Sequence, residues 1–173
     1  LRPEVHRQIA ALEREPNFVK THNAIAVLFD VPTVTPEVTK AAVYVVRSPL
    51  DVALSYADHY GLTIDTAIEQ MGSASNRTRT TDRNVFQYLG DWSQHVRSWA
   101  EAPGLGAHVV RYEDMADRPK GAFGDIVTYL ALRNEAERLR RAIRFSSFRV
   151  LKSQEARQGF YERSLHSEAF FRS

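Results

Sequence analysis

Apolar residues in this chain switch between helix spacing and short strand-like runs. Val5, Ile9 and Leu12 recur behind Pro3 and predict a helix over residues 3–14, stopped by Pro16. Phe18-Val19 is a brief apolar run leading into Lys20-Thr21-His22, and the Pro- and Thr-rich residues 30–39 read as loop. Val43, Tyr44, Val45 and Val46 form a buried-strand run that ends at Arg47; Ser48-Pro49 turns the chain and a helix pattern follows. The small polar and basic residues 72–84 read as a mobile surface loop. Val85, Leu89, Trp92, Val96 and Trp99 make an apolar stripe that predicts an amphipathic helix over residues 84–100, stopped by Pro103-Gly104. A strand is predicted over residues 108–112, with Glu113 and Asp114 opening a loop; Phe123, Ile126, Val127 and Leu130 return to helix spacing, and a charged helix covers residues 135–144. From Phe145 onward the chain reads as irregular. Short strands alternating with helices predict an α/β domain with a largely parallel sheet.

The junction at Arg47 carries the first chemical signal. A strand that delivers a guanidinium to its carboxyl end, beside a new helix N-terminus, is suited to holding an anion. Ser48 is a favourable N-cap, Pro49 suits the first helical position, and Asp51 complements the helix dipole. Ser55 lies about two turns along the same helix. An ordinary strand–turn–helix with a solvated Arg fits these residues as well.

Composition narrows the classes. A chain of 173 residues suits a single domain over residues 1–173. Lys and Arg number 23 against 21 Asp and Glu, and a net charge of +2 does not argue for a nucleic-acid surface. The absence of Cys excludes disulfides, thiolate metal sites and a Cys nucleophile. No run is long and apolar enough for a membrane span and no leader pattern opens the sequence, so a cytoplasmic protein is expected. His6, His59, His108 and His166 have no metal-ligand spacing, and no metal is expected. Trp92 and Trp99 read as core; His95 beside them reads as half-buried and structural. Glu113 and Asp114, being adjacent, are expected to cap the following segment and not to act as an acid–base pair.

Residues 47–56, Arg-Ser-Pro-Leu-Asp-Val-Ala-Leu-Ser-Tyr, resemble the 3′-phosphate-binding motif of sulfotransferases that use 3′-phosphoadenosine 5′-phosphosulfate (PAPS). Phe18-Val19-Lys20-Thr21-His22 resembles the K-T-H segment of that family, Tyr112-Glu113-Asp114 its Y-E-D segment, and Ser146-Ser147-Phe148 with Val150-Leu151-Lys152 its T-S-F-x-x-M-K stretch. Phe170-Phe171-Arg172-Ser173 resembles the start of its F-x-R-K-G segment, with Ser173 where the family has Lys. The resemblance spans residues 17–173.

What it implies is a P-loop-NTPase-like three-layer α/β domain with a mainly parallel central sheet, acting as a sulfotransferase on a small-molecule hydroxyl or amine acceptor. PAPS is the implied co-substrate and 3′-phosphoadenosine 5′-phosphate (PAP) the product; no metal, nucleic acid or membrane partner is implied. The resemblance places the general base on His22 and the sulfuryl contact on Lys20. It assigns Arg47, Ser55 and Arg172 to the 3′-phosphate, and Tyr112, Ser146 and Phe148 to the adenine. Residues 60–84 are the expected wall of the acceptor pocket. The family's Y-P-K-S-G-T-T loop, whose backbone N–H groups and Lys hold the phosphosulfate, has no counterpart here. The expectation is that an N-terminal strand and loop belong to the native protein outside this sequence. A non-catalytic nucleotide-binding or interaction module on the same fold is the alternative; a P-loop kinase relative ranks last, because no Walker-type loop is found.

Overall fold

Strands β3 (Val43–Val46) and β6 (His108–Arg111) pair in parallel in the computed structural model, which describes residues 2–12, 17–81 and 85–171. Each strand feeds a helix at its carboxyl end, β3 into α2 (Pro49–Tyr60) and β6 into α5 (Tyr112–Asp117). This bears out the α/β expectation. The preceding elements are α1 (Arg2–Ala11), β1 (Val27–Leu28), β2 (Val31–Pro32) and a 3-10 turn at Pro36–Val38. Between α2 and β6 come α3 (Ile64–Met71), β4 (Arg77–Thr78), β5 (Gln87–Tyr88) and α4 (Trp92–Ala100). After α5 the chain is helical through α6 (Pro119–Tyr129), α7 (Ala136–Phe145) and α8 (Phe148–Gln158).

Contacts gather the chain into two units, Leu1–Tyr44 with Glu69–Val109, and Val45–Ile68 with Val110–Ser173. The first is organised around Trp99, only 6% exposed, whose indole stacks on Tyr44 with ring centroids 5.8 Å apart and planes 8° from parallel. In the second, small side chains (Ala53 and Ala57 of α2, Ala67 of α3, Ala122 of α6) are buried together with Val110, and α6 packs against α5 and α7.

Several elements differ from the sequence expectation. The predicted helix over residues 84–100 begins only at Trp92. Gly90 takes the left-handed conformation (φ 64°), and the Asp91 carboxylate accepts the Gln94 N–H at 2.8 Å. That is an N-cap with Gln at the third helical position; upstream, residues 87–88 pair antiparallel with β4 inside the predicted loop 72–84. Residues 30–39 hold the second strand of a tight hairpin. Its turn residues Phe29 and Asp30 both have positive φ (50° and 62°), which sequence normally signals with Asn-Gly. Phe29 is tolerated there with its side chain 99% exposed. Glu113 and Asp114 lie in α5 and not in a loop, and α8 replaces the predicted irregular stretch after Phe145. The first helix is seen as Arg2–Ala11; its predicted stop at Pro16 lies outside the described residues.

The end of α2 fixes the path beyond it. Gly61 is left-handed (φ 64°) and its N–H bonds to the carbonyls of Ala57 and Asp58. A Cβ at this position would lie 2.9 Å from the imidazole of His166.

The Asp91 cap gives a direct test of the shortened α4. Replacing Asp91 by Ala should lower stability by about 1 kcal/mol in urea unfolding. An unchanged midpoint would return the helix start to residue 84.

Candidate functional site

Arg47 leaves the end of β3 with its guanidinium lying on the ring of Tyr112, 4.5 Å from the centroid. Tyr112 is the first residue of α5, so the parallel pairing of β3 and β6 brings the ends of two strands, and these two side chains, to one edge. The Arg47 side chain is 41% exposed and also meets the Asp51 carboxylate at 3.3 Å, one turn into α2. An exposed pair of this kind contributes at most about 1 kcal/mol. Ser55 is exposed and follows Asp51 by four residues, so Arg47, Asp51 and Ser55 succeed one another along one face.

The helix start itself differs from expectation. Ser48 occupies the N-cap position and Pro49 the first turn, but the Ser48 side chain makes no capping bond. Instead its N–H donates to Glu113 Oε1 at 2.9 Å, a link no local pattern announces. That hydrogen bond, then the Glu113 backbone N–H and the charges of Arg111 and Arg47, hold the Glu113 carboxyl below its ordinary range against a small opposing cost of burial. Glu113 is therefore a fixed anion tying α5 to the start of α2. Asp114 is likewise lowered, chiefly by the hydrogen bond from Arg118.

Ser146 and Phe148 flank the junction of α7 and α8. Ser146 Oγ donates to the Ala142 carbonyl at 2.8 Å, leaving its lone pairs to accept. Phe148 opens α8; its ring meets Phe171 edge-on at 6.1 Å and lies 5.9 Å from Lys152 Nζ. Arg172 lies outside the described residues.

Lys20 and His22 belong to the other unit, on a segment that forms no strand ladder from residue 17 to 24. Its backbone is instead held by one backbone bond, from the Ala24 N–H to the Tyr88 carbonyl at 2.8 Å, and otherwise by side chains. Trp99 Nε1 donates to the Asn23 carbonyl at 2.9 Å, and Asn23 Oδ1 accepts the Tyr88 N–H at 2.9 Å. The Thr21 hydroxyl accepts both the backbone and side-chain N–H of Asn23. Ser98 Oγ accepts the Ile25 N–H at 3.0 Å. His95 Nε2 donates to the His22 carbonyl at 3.1 Å, which leaves Nδ1 to accept from the Tyr44 hydroxyl at 2.9 Å. Residues 95, 98 and 99 thus present one face of α4 to residues 22–25. Burial lowers the pKa of His95, partly offset by the His22 carbonyl, and pushes the Tyr44 hydroxyl up to about 12. Both groups are neutral at neutral pH. Sequence placed His95 beside the apolar stripe; its tie to His22 was not visible there.

Two surface depressions, one lined by Glu137, Arg138 and Arg141 and the other by Ile25, Gln94 and Arg97, include none of these predicted site residues. Among the described residues no cluster of His, Asp and Glu is arranged to hold a metal ion, and no helix is long and apolar enough to cross a membrane.

The family model described as "Sulfotransferase domain" matches residues 2–173. The chain belongs to the sulfotransferase family. Sulfotransferase 1B1 of Canis lupus familiaris is 32% identical over 150 residues, covering 83% of this chain and 48% of that protein. Sulfotransferase 2A6 of Rattus norvegicus is 28% identical over 111 residues, covering 64% and 38%. The crystal structure of mouse sulfotransferase SULT7A1 complexed with PAP superposes with a TM-score of 0.54 at 23% identity, covering 72% of this chain and 44% of that one. That likeness establishes the P-loop-like sulfotransferase fold for this chain. This sulfotransferase chain spans less than half the length of these relatives.

The half-buried state of His95 sets a pH dependence. Its pKa is lower folded than unfolded, so its contribution is complete above the unfolded value of 6.5 and is lost as pH falls through the folded one. His6, lowered by burial and by Arg2, acts in the same direction. Urea stability should therefore fall as pH drops below 6.5. His95→Gln, which keeps a donor and an acceptor without titrating, should flatten that fall. An equal slope in the variant would remove His95 as its source.

Proposed function

We propose that this chain forms the part of a sulfotransferase that grips the 3′-phosphoadenosine end of PAPS and activates the acceptor, moving a sulfuryl group to the hydroxyl or amine of a small molecule. The observation that carries this reading is the Arg47 guanidinium laid on Tyr112 at the carboxyl edge of the paired strands. Ligands in open α/β sheets bind at such an edge. Arg47 presents a planar donor fork that suits phosphate oxygens, and it is already oriented by the ring beneath it. Its pair with Asp51 is half-exposed and weak, so exchanging that carboxylate for a phosphate costs little. Ser55, farther along the same face, adds a hydroxyl donor, and Arg172 a second guanidinium. Tyr112 presents its ring or hydroxyl to the adenine, with Phe148 and the Ser146 hydroxyl as the other borders.

PAPS, when bound, supplies the sulfuryl group. His22 takes the proton of the acceptor as its oxygen or nitrogen bonds to sulfur and the sulfur–oxygen bond to the phosphate breaks, releasing PAP. His22 suits this task because imidazole titrates near neutral pH. Lys20 faces the developing charge on the transferring oxygens. Support for the roles of Lys20 and His22 comes from the resemblance of their segment and from the side-chain bonds that fix it. Residues 60–84 form one wall of the acceptor pocket in this reading.

Two measurements on the full-length natural protein test it. Arg47→Ala should weaken PAP binding by about 2–3 kcal/mol in calorimetry, the scale of a lost charge-assisted contact; an unchanged affinity refutes the assignment. His22→Ala should lower sulfuryl transfer to simple phenols and alcohols by about a hundredfold or more while PAP still binds. Near-normal turnover removes His22 from the chemistry. Wild-type protein that binds PAP and transfers nothing is instead a nucleotide-binding module.

A further inference from the structure

Glu155 is a buried carboxylate that the proposed chemistry does not use. It is 9% exposed, on α8, and its two oxygens are divided between consecutive backbone donors. Oε1 accepts the Phe170 N–H at 2.7 Å and Oε2 accepts the Phe171 N–H at 2.9 Å. A carboxylate withdrawn from water is costly unless it is hydrogen-bonded, so these contacts fix the two peptides closely. The chain leaves α8 at Gly159, whose φ of 73° suits glycine, and returns so that the ring of Phe160 meets both Phe170 at 4.6 Å and Phe171 at 5.2 Å. Phe148 precedes Glu155 by seven residues and so lies on the same face of α8, where its ring meets Phe171.

We propose that Glu155 is a positioning residue for the nucleotide site. By clamping the Phe170 and Phe171 peptides onto α8, it joins the strip that continues directly into Arg172 to the helix that carries Phe148. One buried carboxylate thereby fixes the two peptides that precede Arg172 in the sequence against the helix of an adenine border. The inference rests on the proposed function, and it goes beyond it in assigning how two of its binding groups are held together. A carboxylate suits the task better than an amide, because both of its oxygens accept whereas Gln offers one acceptor and an NH₂ group that opposes the second N–H.

The test is a binding cycle in the full-length natural protein. PAP and adenosine 5′-monophosphate, which lacks the 3′-phosphate, are titrated against wild type, Glu155→Gln, Arg172→Ala and the double variant. Glu155→Gln should weaken PAP by about tenfold and adenosine 5′-monophosphate distinctly less, and should add little once Arg172 is gone. Amide hydrogen exchange at Phe170 and Phe171 should accelerate in the same variant. Equal losses for both ligands, additive effects in the double variant, or unchanged PAP affinity overturn the clamp. Where Glu155→Gln does not fold, Glu155→Asp, which withdraws the carboxylate by one methylene, is read by the same cycle and the same outcomes. Wild-type protein that does not bind PAP overturns the proposed function as well; PAP binding that depends on Arg47 but not on Glu155 overturns the clamp alone.

Discussion

The parallel pairing of two four-residue strands is the constraint on which the candidate site depends. Parallel strands place their carboxyl ends on the same edge, and in this chain both ends turn straight into helices. Arg47 and Tyr112 are each at such a turn, so their contact follows from strand register. The Ser48–Glu113 bond reinforces the same edge, since one carboxylate then links the first residues of both connections. A guanidinium kept between a ring and a weakly held carboxylate is oriented before any ligand arrives, which reduces the ordering that binding would otherwise require.

A different solution holds residues 21–25. With no strand ladder to satisfy its peptides, the segment draws on Trp99, His95, Ser98 and the Tyr88 carbonyl for hydrogen bonds. Buried or half-buried backbone groups need partners, and here α4 and β5 provide them. The apolar stripe of α4 therefore has two tasks: its indole fills the core of its unit, and the polar atoms at its edge determine where the backbone of His22 lies.

The strand run ending at Arg47 and the helix after Pro49 were legible because each carries a local signal: a β-type apolar run, a proline at the first turn, a glycine at the end. The helix that begins at Trp92 was overextended because Val85 and Leu89 happen to continue its stripe, and Gly90-Asp91 was not recognised as a cap. The Phe29-Asp30 turn lacks the glycine or asparagine that would mark it. Helix α8 was missed because its charged residues leave no clear apolar face, and its anchor, Glu155, acts on residues 15 and 16 positions away. The identities proposed for the site were readable through motif resemblance, whereas the bonds that hold the segment of His22 join residues 73 and 76 positions apart, beyond the reach of any local pattern.

Gly61 is subject to two independent restrictions. Its left-handed backbone would ordinarily still admit Asn or Asp, the residues that adopt that conformation at least cost. The imidazole of His166 narrows that option, because a side-chain carbon at position 61 would lie 2.9 Å from it and the exposed ring would have to move aside. Position 61 can thus drift from glycine only together with a new placement or replacement of the side chain at position 166. The turn beyond α2 and the distant tail are coupled through that one contact.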